Sequence, residues 1–183
     1  QVRRDIDFHV NYYEDGWLRE CIIFGPGQPH ANASFYLGFD ERNHIAGHVL
    51  RLHFACEKNR GVGVRRDQPP VLWECFGGRD KDGKEVWTPV EQGLSGEDRD
   101  TTGGFNNEHG SVTLYLPLQM QSGTLRDERR KGEPVYWLRC RYVEDKDEPT
   151  NRYSHSPEVR QMYAEVVGAT ITATNAVCVE IEE

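Results

Sequence analysis

Alternation with a period of two is the feature that most constrains this chain. In residues 49–57, Leu50, Leu52, Phe54 and Cys56 share one side, and Arg51 and His53 lie opposite. Successive side chains of a β-strand point to opposite faces, so such a run is a strand with one apolar face that must be covered. The pattern recurs. Residues 71–76 set Val71, Trp73 and Cys75 against Glu74. Residues 111–116 align Val112, Leu114 and Leu116. Residues 135–143 set Tyr136, Leu138, Cys140 and Tyr142 against Arg139 and Arg141. In residues 169–181, Ile171, Ala173, Val177, Val179 and Ile181 face away from Thr170, Thr172, Thr174 and Glu180. Residues 17–24, 34–39 and 85–89 are further predicted strands with less regular patterns. No run of ten or more residues shows the 3.6-residue period of an amphipathic helix.

Turn residues separate the runs. Gly25-Pro26-Gly27 ends one strand, and Asp82-Gly83 is a hairpin signal between Phe76 and Trp87. Pro69-Pro70 stands just before a strand, where proline is tolerated. The charged segment 121–134 and the polar segment 144–156 read as loops, with a short helical turn predicted at 157–161. The expectation is one all-β domain over residues 1–183, an antiparallel β-sandwich of jelly-roll-like character with long loops and little helix. A closed barrel is the alternative. Residues 1–32 fit this plan least well, as an extra strand pair or the remnant of a preceding domain.

Composition narrows the function. The 183 residues carry 22 Lys+Arg against 30 Asp+Glu, a net charge of −8. Binding a phosphate backbone requires clustered cations, so nucleic acid is not an expected partner. No run of about 18 apolar residues is present, so no membrane segment is expected. The first residues lack an apolar h-region, which predicts no secretory signal here. The missing initiator Met and the strand-like C-terminal end predict a domain cut from a longer chain. Four Trp, eight Tyr and seven Phe supply a large core. Five cysteines, Cys21, Cys56, Cys75, Cys140 and Cys178, are odd in number, widely spaced and mostly within apolar runs. They read as buried free thiols of a reducing compartment rather than disulfides or a zinc site.

Candidate chemistry is sparse. Asp80-Lys81-Asp82-Gly83 resembles a calcium-loop fragment but lacks the remaining ligands, and a hairpin turn explains it better. Glu97, Asp98 and Asp100 precede Thr101-Thr102-Gly103-Gly104, where carboxylates and hydroxyls can hold a tight bend by bonding to backbone N–H groups. Asp100, Thr101 and Thr102 are therefore candidate residues of a structural bend. His44 and His48 are four apart, but on a Gly-containing segment with Ile45 and Ala46 between them and without the intervening Glu that a zincin site needs. No nucleophile elbow or phosphate loop is present. Asn32-Ala33-Ser34 matches a glycosylation sequon. The tryptophans invite a sugar-platform reading, with surface glycan as partner, yet Trp73 falls on a core parity. Trp137, sharing parity with Arg139 and Arg141, is placed at a surface. Arg139, Arg141 and Trp137 are candidate interface residues, and the arginines can pair with cross-strand carboxylates or with a neighbouring subunit. No catalytic residue, metal or cofactor is expected.

The order of several segments carries a resemblance. Residues 34–40 (SFYLGFD) are followed by 47–57 (GHVLRLHFACE), 69–74 (PPVLWE) and Trp87-Thr88-Pro89. Then come 100–105 (DTTGGF), 110–117 (GSVTLYLP), 136–141 (YWLRCR), 153–157 (YSHSP) and 170–177 (TITATNAV). Over residues 33–179 this succession resembles the baseplate assembly proteins of phage-tail-like contractile injection systems, which belong with the baseplate-J-like wedge proteins. The resemblance implies a non-enzymatic β-sandwich domain of a wedge subunit, acting by protein–protein contact. Its partners would be other baseplate, sheath or spike subunits. It would assemble in the bacterial cytoplasm and then reside in the particle. No catalytic residues carry over from it. A carbohydrate- or receptor-binding β-sandwich module is the competing expectation.

Overall fold

The alternating runs pair mostly with partners distant in sequence. The computed structural model describes residues 21–58, 61, 63–125, 134–144 and 147–169. Among them are ten strands: β1 (Cys21–Ile22), β2 (Ser34–Asp40), β3 (His48–Cys56), β4 (Val71–Arg79), β5 (Glu85–Pro89), β6 (Glu91–Gln92), β7 (His109–Tyr115), β8 (Ser122–Gly123), β9 (Val135–Tyr142) and β10 (Glu158–Ala169). They form two antiparallel sheets, ordered β1-β10-β3-β7-β6 and β2-β9-β4-β5, with β8 paired to β9. One sheet is curled into a half-barrel. Apart from the short β6 and β8, this strand order is that of a jelly roll, in which the chain repeatedly crosses from one layer to the other.

Register explains which residues become core. In β3, Leu50, Leu52, Phe54 and Cys56 are buried, and each alternates with a half-buried neighbour. Leu50 lies opposite Leu114 and Leu52 opposite Val112 on β7. In the second sheet, Leu37 pairs with Leu138 and Phe35 with Cys140. Trp73 pairs with Cys140, and Cys75 with Leu138. The apolar faces of both sheets enter one buried cluster. Each fully buried Leu, Val or Phe contributes about 1.5–3 kcal/mol of transfer free energy. At one end the cluster is aromatic: Phe24 sits 5.6 Å from Tyr153 and 6.1 Å from Tyr142, ring centre to ring centre. Phe105 meets Phe54 edge-on at 5.2 Å.

Some sequence expectations change here. The segment 157–161, predicted as a helical turn, opens β10 instead, because its backbone pairs with β1 and β3. Strand β4 runs on through Gly77 and Gly78, where a register shift between Phe76 and Arg79 absorbs them. Ser122 and Gly123, placed in a loop, pair with β9. Asp82-Gly83 does form the β4–β5 hairpin turn: Gly83 has φ +72° and its N–H donates to the Asp80 carbonyl. Of the predicted strand 17–24 only Cys21–Ile22 is described as strand, and the run 170–181, the charged residues 126–133 and Cys178 lie outside the described residues.

The bend at residues 100–107 ties the layers together. Asp100 Oδ1 accepts hydrogen bonds from the Thr102 N–H and from the Thr102 hydroxyl, each at 2.7 Å. The Thr102 carbonyl then accepts from the N–H groups of Asn106 and Asn107. Gly103, Gly104 and Phe105 follow one another at φ +59°, +68° and +60°. Only glycine enters that region without steric cost, so Phe105 is a local strain offset by complete burial of its ring. Tyr153 Oη donates to the Gly104 carbonyl at 3.0 Å.

Candidate functional site

The outer face of the β2-β9-β4-β5 sheet carries the most organised polar group. Strand parity puts Tyr36 on β2, Arg139 and Arg141 on β9, Glu74 on β4 and Trp87 on β5, all away from the shared core. Glu74 is directly opposite Arg139, and Arg139 is directly opposite Tyr36.

Glu74 is the hub. Its Oε2 accepts from Arg139 Nε and from Arg141 Nε, both at 2.8 Å, and its Oε1 accepts from Arg141 Nη2 at 3.2 Å. Arg141 Nη1 donates to the Asn32 side-chain carbonyl at 2.9 Å. The Glu74 side chain is only 6 % exposed. Burial pushes its carboxyl pKa up, but the hydrogen bonds from Arg141 and Arg139 outweigh burial and hold it below the ordinary carboxylate value. The same bonds raise the Arg141 guanidinium.

Aromatic rings frame this group. The Arg139 guanidinium carbon lies 4.2 Å from the centre of the Trp87 ring, within cation–π range. Trp87 also meets Phe76 and Tyr36 edge-on, each at 5.7 Å. Strands β2 and β5 are three strand spacings apart, roughly 14 Å at about 4.8 Å per spacing. The rings of Tyr36 and Trp87 close most of that gap by converging over the middle of the sheet.

Of the two partners the sequence offered Arg139 and Arg141, the structure shows the cross-strand carboxylate, Glu74 of the neighbouring strand. Trp137, placed at a surface by its parity, is corrected. It shares the arginine face, but it is 7 % exposed and covered rather than presented. Its ring lies against Gly38, where an added Cβ would come within 3.0 Å of it. Its Nε1 donates to the Gly123 carbonyl at 2.9 Å. Gly123 in turn packs against Phe76, where an added Cβ would approach Cε1 to 2.5 Å. Phe76 was not recognised from sequence. The signal for it was parity: it falls on the Glu74 side of β4, so its burial requires cover on the outer face, which β8 and Trp87 provide.

Other sequence-derived candidates resolve into local structure. Asp98 accepts from Arg51 Nη2 at 2.8 Å and from the Tyr115 hydroxyl at 3.2 Å. Asp100, Thr101 and Thr102 form the bend described above, and Thr101 also accepts from the Ser111 N–H through its hydroxyl. Asp80 Oδ1 accepts from the N–H groups of Asp82 and Lys84. With Trp73 in the core and Trp137 covered, the sugar-platform reading loses two of its four tryptophans, and Trp17 lies outside the described residues. Cys56, Cys75 and Cys140 are buried, and Cys21 is half-buried. Among the described residues no group of three or more His, Cys, Asp or Glu is arranged to hold a metal, and no helix is long and apolar enough to cross a membrane.

The chain matches no family model, no curated protein and no solved structure. Its functional reading therefore rests on its own residues and geometry. The arginine face offers a cation set by Glu74 and Trp87, aromatic rings and a half-buried ion pair.

Proposed function

We propose that this domain is a structural module of a baseplate wedge protein in a contractile, phage-tail-like injection system, acting through protein–protein contacts. One observation carries the reading. The segments whose order resembles that family contact one another in the fold. Glu74 of PPVLWE binds Arg139 and Arg141 of YWLRCR. Trp87 of the WTP segment stacks on Arg139. Gly104 of DTTGGF accepts from Tyr153 of YSHSP. Gly110, which opens GSVTLYLP, sits so close to the bend that an added Cβ would come within 2.5 Å of Thr102 Cα. These contacts make the segments steric and hydrogen-bonding partners of one another, as the parts of a braced scaffold are.

The test is biochemical. Antibody raised against this domain is used to probe purified tail-like particles from the cells that make it. The expected result is co-sedimentation with sheath and spike proteins at fixed stoichiometry. A domain found only outside such particles overturns the proposal.

A further inference from the structure

The polar group on the arginine face is not balanced. Two guanidinium groups share one carboxylate, leaving one net positive charge fixed on the face of a protein whose total is −8. The surplus can be assigned to a single side chain. Arg141 uses Nε and Nη2 on Glu74 and Nη1 on Asn32. Arg139 uses Nε, and its Nη1 and Nη2 meet no acceptor among the described residues. Its orientation is nonetheless fixed, by Glu74 on the Nε edge and by the Trp87 ring at 4.2 Å. Its side chain remains 17 % exposed.

A guanidinium held by Nε, with both outer nitrogens unengaged, is a fork of the geometry that receives a carboxylate bidentately. It is flanked by Trp87 and Tyr36, and Arg, Trp and Tyr are the residue types that concentrate binding energy at interfaces. Building on the assembly reading above, we propose that Arg139, framed by Trp87 and Tyr36, is the docking point for an Asp or Glu side chain of a neighbouring protein subunit. Charge favours this occupant. A polyanion would meet the −8 of the whole domain, whereas one acidic side chain brings a single charge into the fork. A carboxylated sugar would also need a flat ring to stack on, and the Arg139 side of Trp87 is already occupied.

The experiment replaces the wild-type chain, in the cells that assemble it, with Arg139→Gln, Arg139→Lys or Arg139→Glu. Recovery in purified particles is then measured. Arg139→Gln and Arg139→Glu are expected to lower it at least about tenfold, with Arg139→Lys in between, because lysine keeps the charge but loses the fork. Thermal unfolding of each purified variant separates lost docking from lost fold. In the wild-type background, a photo-crosslinking amino acid at position 36 is expected to capture a peptide of a neighbouring subunit containing Asp or Glu. Changing that acid to Arg is expected to restore Arg139→Glu. Folded Arg139→Gln entering particles at the wild-type level overturns the docking proposal and leaves the assembly reading standing. A cross-link to glycan overturns it as well, and decides the matter even where Arg139→Glu fails to fold. Wild-type chain missing from particles defeats the assembly reading itself.

Discussion

Glu74 is the residue whose chemistry most depends on its neighbours. Its carboxyl titrates lower in the folded protein than in the unfolded chain, so it stabilises the fold fully above the ordinary carboxylate pKa of about 4.3. That contribution is lost as the pH falls through the depressed folded value. Glu74→Gln is expected to cost about 2–3 kcal/mol at pH 7. This is below the ~3–5 kcal/mol of a fully buried pair, since both arginines keep some solvent contact. Urea denaturation at pH 7 and at pH 3 checks it, and the gap between wild type and variant should shrink at the lower pH. Asp100 has the opposite sign. Burial raises its carboxyl despite the Thr102 hydrogen bonds. Its folded pKa lies above its unfolded one, so its ionisation costs stability as the pH rises through the carboxylate range. Asp100→Asn keeps an oxygen for the two Thr102 bonds without the buried charge. It is expected to match or exceed wild-type stability at pH 7, while Asp100→Ala loses about 1–3 kcal/mol. Burial likewise pushes the Cys56 thiol up to about 12 and the Cys75 thiol up to about 11. In a native thiol-labelling experiment read by peptide mass, both should stay protected until the protein unfolds, and Cys21 should label before them.

At the scale of elements, glycines decide how closely strands and turns approach. Gly110 on β7 lies under the 100–107 bend, where an added Cβ would come within 2.5 Å of Thr102 Cα and 2.6 Å of the Thr101 carbonyl oxygen. Both obstacles are backbone and cannot rotate aside. Gly110→Ala is expected to destabilise by about 2–3 kcal/mol in chemical denaturation. Gly27→Ala offers a contrast, because no atom lies within 4 Å of its Cβ position and only its φ of +80° opposes the change; its cost should be about 1 kcal/mol. The strands around the site were legible in sequence because parity alone placed Arg139 and Arg141 opposite Leu138 and Cys140. The same rule put Trp137 with the arginines, correctly as to face but not as to exposure. Cover on that face comes from β8, a two-residue strand too short to leave a periodic signal.

For the whole molecule, the two sheets share one core and are expected to unfold together. Leu138 is fully buried at the centre of β9, flanked by Leu37 on β2 and Cys75 on β4. Leu138→Ala should cost about 3–4 kcal/mol, with tryptophan fluorescence and far-ultraviolet circular dichroism shifting through coincident transitions. Separate transitions would show that the sheets are independent units. The net charge of −8 acts at this scale too. A surplus cation at Arg139 runs against the sign of that overall charge.

By itself the sequence determined the all-β class, most strand positions, the composition of the core and the faces of the charged residues. Each follows from a period of two and from the identity of the residue at each step. Tertiary structure decided the jelly-roll strand order, the choice of Glu74 as the shared partner of two arginines, and the burial of Phe76 and Trp137. These depend on which strands lie side by side. Contacts between β4 and β9 join residues about 65 positions apart, through hydrogen bonds whose donors and acceptors are set by register. A local pattern records which face a side chain takes, but not what it meets there.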